Sequence, residues 1–466
     1  MESERHPGAQ PTLRGVIELQ GARIPVELSF ASRLSLYAAF ETDVADRTVF
    51  GPLRLELDGR EVELGATRLH REYTRAGAAG RLVFLDDVYD CQALLFQKKL
   101  VNLKGFFQSL PLVLAQKQEI RPAFREYVSD ALYDLAVYKR FFNEQDRILA
   151  NEPRHVAAPA QEALIRTEGR AFLRFFDGQL ARLDALVAEL PREQYESHGY
   201  YLRRMAWEYI LGSEFLKRTN LKPRGYAGDA EMMRMCYENA YVGDYVFNKL
   251  LHKHPLETPA AQAVRNRRVL VPRVLREAAD RFPREPEGGF RLFSVACGPA
   301  WELQDIYVGA DDFRRFSCTL LDQDPDALEA ARAGIRRIEA ERNGRVRATF
   351  LNDSVRTMLR TRDLQERFGR FHFIYSMGLF DYLTPPVARV VLSKLYALLE
   401  PGGTLLVGNY HVKNPTRHYM AYWMDWQLYY RSETDFLELA APTGAAPSIE
   451  LDPSGCQMFL QLRKDG

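Results

Sequence analysis

Apolar and polar positions alternate in short runs between residues 12 and 89, the period of half-buried strands. The pattern predicts strands over 15–19, 23–30, 35–40, 53–57, 60–69 and 80–84. Leu57-Asp58-Gly59-Arg60 places an Asp-Gly pair between two of them, a strong hairpin signal. Short strands at this spacing predict a small β-barrel over residues 1–90. From residue 91 the apolar period lengthens to that of helices, predicted over 92–100, 104–116 and 121–151. Glu152-Pro153 and Ala158-Pro159 mark a linker, and helices follow over 160–190, 192–218, 231–237, 241–251 and 259–282. Residues 91–268 thus read as a helical region with linker, lid and substrate roles.

Near residue 290 the pattern changes again, to strands and helices in alternation. Strands are predicted over 291–295, 316–321, 346–351, 371–375 and 403–408, with helices over 302–308, 325–342, 355–368 and 386–399 between them. Crossover helices between strands argue a doubly wound, Rossmann-like parallel sheet. The chain closes differently: strands over 448–451 and 458–463 flank a turn, an antiparallel hairpin on a parallel sheet. The fold class is α/β, with residues 269–466 as the sheet domain.

At 466 residues the chain is too long for one ordinary core. Hydrophobic content of 46% and charged content of 27% are those of a globular protein. A net charge of +1 argues against nucleic-acid binding by bulk electrostatics. The five cysteines are scattered without a CxxC pair, which predicts a reducing compartment. No apolar leader opens the chain and no run of about 18 apolar residues occurs, so a cytoplasmic protein without an integral membrane segment is expected. His252 and His254, two residues apart, suit no metal pair and are expected as surface or cap residues.

The stretch with most chemistry is Phe293-Ser294-Val295-Ala296-Cys297-Gly298-Pro299-Ala300-Trp301. A strand ending in small residues lets a ligand approach the backbone, and the helix that follows offers free N–H groups. Asp322, then Gln323, ends the next predicted strand, and Asp353-Ser354 ends the third. A carboxylate at the second strand end can accept from a ribose diol, and Asp353 from an adenine amino group. Ser376 and Met377 leave the fourth strand, followed by Asp381 and Tyr382; Tyr410 and His411 leave the fifth. Before the sheet, Pro223-Arg224-Gly225-Tyr226-Ala227-Gly228-Asp229 reads as a shaped loop, either an interhelical turn or a lid. Arg265, Arg267 and Arg268 cluster on one helix, as a solvated face or a carboxylate clamp. The aromatics Phe172, Phe175, Phe176, Tyr200, Tyr201, Trp207 and Tyr209 read as core or as the lining of a lipid-like pocket. A helix over 418–431, rich in Tyr and Trp, is expected to cover the acceptor side.

With these strand-end residues in order, residues 269–466 resemble class I S-adenosylmethionine-dependent methyltransferases. The resemblance implies a seven-stranded sheet with an antiparallel C-terminal hairpin. It implies S-adenosylmethionine as cofactor, held by Ala296, Cys297, Gly298, Pro299, Asp322, Gln323, Asp353, Ser354, Ser376 and Met377. Ser294 stands where such proteins often carry an acid, and two alanines replace loop glycines. The pairing of Pro223-Arg224-Gly225-Tyr226-Ala227-Gly228-Asp229 with Cys297-Gly298-Pro299-Ala300 is similar to bacterial proteins of 3-hydroxypalmitic acid methyl ester biosynthesis. That likeness implies a small, lipid-like carboxylic acid as methyl acceptor. Such an acceptor needs a cation, Arg224 or the Arg265–Arg268 cluster, and no base. An amine, hydroxyl or protein acceptor would need proton removal, with His411 the leading base and Asp381, Tyr382, Tyr410 and Tyr226 beside it. A homodimer and a non-catalytic sensor stay open. The segment around Leu34-Ser35-Leu36-Tyr37-Ala38 resembles PilZ domains, which bind cyclic di-GMP. It lacks their RxxxR arm, and Tyr37 replaces a small residue, so a structural or docking barrel is expected.

Overall fold

The computed structural model describes residues 12–32, 34–40, 44–57, 60–71, 78–97, 119–283 and 289–466. It divides into two compact units, 1–119 and 120–466.

In the first unit, β1 (Leu13–Leu19), β2 (Ala22–Ser32), β3 (Ser35–Phe40), β4 (Val49–Leu57), β5 (Arg60–Arg71) and β6 (Ala78–Phe84) close a barrel in the order β1-β2-β3-β6-β5-β4. The period of two sends alternate residues inward. Each strand contributes a side chain with no exposed surface: Ile17, Leu28, Leu36, Leu53, Leu69 and Leu82. Burying residues of this size stabilises by roughly 1.5–3 kcal/mol each. Helix α1 (Cys91–Gln97) adds Leu94 to the same core. All predicted strands of this unit are present. Asp58-Gly59, Arg33 of the PilZ-like segment and the predicted helix over 104–116 lie outside the described residues.

The second unit opens with helices α2 (Pro122–Leu149), α3 (Arg154–Leu164), α4 (Arg170–Val187), α5 (Arg192–Met205), α6 (Trp207–Gly212), α7 (Glu214–Leu221), α8 (Ala230–Glu238), α9 (Val246–Leu256) and α10 (Pro259–Ala279). Pro122 and Pro259 start their helices, where the missing N–H costs nothing. The expected linker at 152–159 is not one: Pro153 precedes α3 and Pro159 lies inside it. The aromatic stripe divides. Phe172 and Phe176 are core, Phe176 meeting Trp423 edge to face at 5.2 Å, while Tyr200 and Trp207 are exposed. His252 and His254 are buried, not surface residues. His252 Nδ1 accepts from the Phe215 N–H at 3.2 Å, and His254 bridges Tyr419 and Asp177. Burial lowers the His252 pKa to about 4, so its imidazole is a neutral acceptor.

The sheet follows: β7 (Phe290–Val295), α11 (Leu303–Ile306), α12 (Ala310–Arg315), β8 (Phe316–Asp322), α13 (Pro325–Arg342), β9 (Arg347–Asn352), α14 (Val355–Arg360), α15 (Leu364–Phe368), β10 (Phe371–Ser376), α16 (Pro385–Ala397), β11 (Leu399–Tyr410), α17 (Arg417–Trp423), α18 (Glu433–Ala440), β12 (Pro447–Leu451) and β13 (Gln457–Arg463). The strand order is β12-β13-β11-β10-β7-β8-β9. Pairing is parallel from β11 across to β9 and antiparallel for β13 with β11 and β12. This is the predicted sheet with its closing hairpin. Helices α10 and α13 pack one face through Val271, Leu275, Leu328 and Ile335, and α16 packs the other through Val391, Leu392 and Leu395. Several predicted helices are broken or shorter than expected: the one over 192–218 divides into α5, α6 and α7, and the one over 302–308 is the four-residue α11. The one over 355–368 splits into α14 and α15. The one over 418–431 ends at Trp423, because Asp425 takes a left-handed backbone (φ 48°) and ties its carboxylate to Arg203 and Lys222. Trp426, Tyr429 and Tyr430 therefore lie on an irregular segment beyond the helix. From β7 the chain winds one way to β9, then returns to β10 on the other side. The gap between β7 and β10 is a topological switch point, where doubly wound sheets bind ligands.

Candidate functional site

At that switch point the strand ends open into a cavity of about 670 Å³, well within the range of small-molecule sites. Its floor is the turn after β7. Ala296 (φ 54°), Gly298 (φ 54°) and Ala300 (φ 50°) are all left-handed, so the two alanines adopt the conformation glycine would. For alanine this costs about 1–2 kcal/mol, and neighbouring bonds hold it. Asp322, at the end of β8, accepts from the Gly298 N–H through Oδ2 (2.8 Å) and from the Asp324 N–H through Oδ1 (2.9 Å). Burial raises its pKa, against those N–H donors. One carboxylate thus shapes the loop while lining the cavity. Asp353, beyond β9, lines it as well; its carboxylate accepts from Arg367 at 2.5 Å and from the Ser354 N–H at 2.7 Å.

The loop between α7 and α8 forms a second wall. Asp229, 1% exposed, caps α8 through the Met232 N–H and receives the Arg218 Nε at 2.9 Å on both oxygens. Lys222 and Gly225 turn the chain at positive φ. This shape brings Arg224 and Tyr226 to the cavity. Arg224 is no free clamp: its guanidinium meets Asp324 at 2.5 Å and Asp326 at 3.0 Å.

The far end lies beyond β10. Asp381, 2% exposed, accepts from the Tyr410 N–H at 2.7 Å through Oδ1, and its other oxygen has no hydrogen bond among the described residues. Burial raises its pKa to about 7, opposed by the Tyr410 N–H and the charges of Arg267 and Arg431. The Tyr382 hydroxyl accepts from Trp426 Nε1 at 2.8 Å, and Tyr226 meets the Tyr382 ring edge-on at 6.2 Å. The Tyr410 hydroxyl donates to the Ala260 carbonyl at 2.8 Å. The Tyr429 N–H donates to the Asp381 carbonyl, and Arg431 to the carbonyls of Phe380 and Leu383, so the segment after Asp425 is tied to this end.

The cavity thus gathers Ala296, Cys297, Gly298, Pro299, Asp322, Gln323, Asp353, Ser354, Met377, Arg224, Tyr226, Asp381, Tyr382 and Tyr410. Two expected residues lie elsewhere. Ser376 is buried, with Oγ donating to the Val295 carbonyl at 2.8 Å. His411, the leading base candidate, is a correction: successive strand residues face opposite ways, and where Tyr410 faces the cavity, His411 pairs with Glu433 at 3.1 Å on the other side.

Two cavity residues went without a firm role in the sequence. Glu302, 9% exposed, follows the turn, and its Oε1 accepts from the Tyr375 hydroxyl at 2.7 Å. Burial raises its pKa, with Arg267 pulling it down. Arg267, 7% exposed, is the single member of its cluster that lines the cavity. Arg265 bonds Gln262 and the Cys236 and Leu256 carbonyls, and Arg268 pairs with Asp305. An acid beside a turn that lacks one at Ser294 was the available signal for Glu302.

No family model matches the chain, and no curated protein matches it. Solved structures do. A possible exported protein from Bordetella parapertussis is 19% identical, over 64% of this chain and 97% of that one, at a TM-score of 0.43. Magnesium protoporphyrin IX methyltransferase from Synechocystis PCC 6803, with bound SAM, is 11% identical over 45% and 85%, at 0.32. The N-methyltransferase NodS from Bradyrhizobium japonicum is 13% identical over 44% and 98%, at 0.28.

Proposed function

We propose that the protein is an S-adenosylmethionine-dependent methyltransferase acting on a small-molecule acceptor. The observation that carries the reading is the pairing of Asp322 with the left-handed 296–300 turn at the switch point, inside a cavity of about 670 Å³. The residues present fit the cofactor. Asp322 would take the ribose hydroxyls, Asp353 the adenine edge, and the small turn residues leave room against the backbone. When bound, the cofactor supplies a methyl group on a sulfonium. The protein's part is to align the acceptor in line with that methyl and to keep water out. Tyr382, Trp426, Tyr226 and the Tyr410 ring would form the acceptor end, where the segment after Asp425 contributes Trp426 and Leu428 to the cavity lining.

Asp381 supports an acceptor that gives up a proton, such as an amine or hydroxyl. It is buried, one oxygen carries no hydrogen bond among the described residues, and it follows β10, which β7 separates from the β8 end that carries Asp322. A second reading, methyl-ester formation on a lipid-like carboxylic acid as in 3-hydroxypalmitic acid methyl ester biosynthesis, is favoured by Arg267, which lines the cavity without an ion pair among the described residues. Under either reading the barrel is a PilZ-like module without a cyclic di-GMP role, and the protein is cytoplasmic and does not act on nucleic acid. Among the described residues no helix is long and apolar enough to cross a membrane.

The test is methyl transfer from labelled S-adenosylmethionine to panels of phenols, amines and 3-hydroxy fatty acids. The expected result is label in one class, abolished by Asp322→Ala. A folded protein that binds the cofactor and labels no acceptor moves the account to a sensor.

A further inference from the structure

Glu302 and Arg267 are two buried, oppositely charged side chains that line one cavity and do not pair with each other. Glu302 Oε1 is held by a neutral donor, the Tyr375 hydroxyl, at 2.7 Å. Arg267 is held by neutral acceptors: Nη1 by the Met377 carbonyl at 2.9 Å and Nη2 by the Met233 sulfur at 3.3 Å. Its Nε is buried and has no hydrogen-bond partner among the described residues. An orphaned guanidinium N–H and a buried carboxylate without a cation are each costly alone. A structure that keeps both lining one cavity is complementary to a ligand carrying an ammonium and a carboxylate together, and an α-amino acid zwitterion carries the two on one carbon.

Resting on the methyltransferase reading, we propose that Glu302 binds the α-ammonium and Arg267 the α-carboxylate of the cofactor's amino-acid end. Both residues line the cavity with the 296–300 turn: Glu302 comes just beyond the turn in the chain, and Arg267, on α10, is tied through the Met377 carbonyl to the residue after β10, the strand beside β7. Ser294, inside β7, carries no charge for the ammonium, and Glu302 supplies it from the far side of the same turn. Arg267 is then committed to the cofactor. Arg224 is held by Asp324 and Asp326. A carboxylate acceptor finds no unengaged cation in Arg224 or Arg267, and the acceptor is a nucleophile that loses its proton at Asp381.

The experiment is calorimetric titration of the full chain and its Glu302→Gln and Arg267→Lys variants with three probes. These are S-adenosylhomocysteine, its decarboxylated analogue, and 5′-methylthioadenosine, which lacks the amino-acid end. Gln keeps an acceptor for Tyr375 and Lys keeps the charge, so both variants are conservative. Wild type is expected to bind all three. Glu302→Gln should weaken the first two about tenfold or more, and Arg267→Lys the first alone, each leaving 5′-methylthioadenosine within about twofold. Uniform weakening of all three probes, or unchanged S-adenosylhomocysteine affinity in both variants, overturns the proposal while leaving the methyltransferase reading standing. A wild type that binds none of the probes removes both.

Discussion

Asp381 concentrates the question of what accepts the methyl group. Burial holds its pKa near 7, with the Tyr410 N–H, Arg267 and Arg431 acting in the opposite direction, and Tyr382 packed beside it. Below that pH the carboxyl is protonated and cannot take a proton. For an amine or hydroxyl acceptor, kcat/KM should fall up to about tenfold per pH unit below 7, and Asp381→Asn should cost about 10²-fold at pH 8 and flatten the profile. For a carboxylate acceptor, already ionised, the profile stays flat down to about pH 5. Measuring the wild-type and variant profiles decides between them. The residues at this scale differ in how openly the sequence displayed them. Asp322 was visible because it ends a largely apolar run that forms the mostly buried β8, whereas Asp353 follows β9, an edge strand whose residues are half-buried or exposed, and was placed by its position at the third strand end. Glu302 and Arg267 were hidden, since the cavity-facing side of a turn or helix depends on how it packs. His411 was misplaced by one residue of strand parity: β11 runs to Tyr410, paired with Gln457, and the next side chain turns away.

Among the elements, the loop between α7 and α8 links the helical layer to the site. A Cβ added at Gly228 would stand 2.5 Å from the Tyr382 hydroxyl and 2.6 Å from Trp426 Cζ2, contacts that real structures do not tolerate. Gly228→Ala should therefore displace the Tyr382–Trp426 pair at the acceptor end. Its expected signature is a KM for the acceptor raised about tenfold or more, with S-adenosylhomocysteine affinity within about twofold; equal losses of both would place the loop against the cofactor instead. The loop's glycines and paired charges were visible in the sequence. The partners of those charges, Arg218 with Asp229 and Arg224 with Asp324, were not, since the second pair spans a hundred positions. The helix predicted over 418–431 failed for a similar reason: its aromatic spacing is helical, but Asp425 is drawn into a left-handed turn by Arg203 and Lys222, residues more than two hundred positions earlier.

Across the whole molecule, the barrel and the 120–466 unit each carry their own core, and the cavity belongs wholly to the second. The strand–helix alternation made the parallel sheet readable and the last two strands its antiparallel hairpin, while the strand order comes from the structure. Net charge is +1, so recognition of a charged ligand falls to the local field of Asp322, Asp353, Glu302 and Arg267 rather than to the surface. The central claim is that this cavity holds S-adenosylmethionine. Its most direct test is calorimetric titration of the intact protein, and of Asp322→Asn, with S-adenosylhomocysteine. The account predicts one site per chain with micromolar affinity, weakened about tenfold or more by the substitution while the thermal midpoint shifts by only a few degrees. A folded wild type that shows no heat of binding, or an Asp322→Asn variant that binds unchanged, would contradict it.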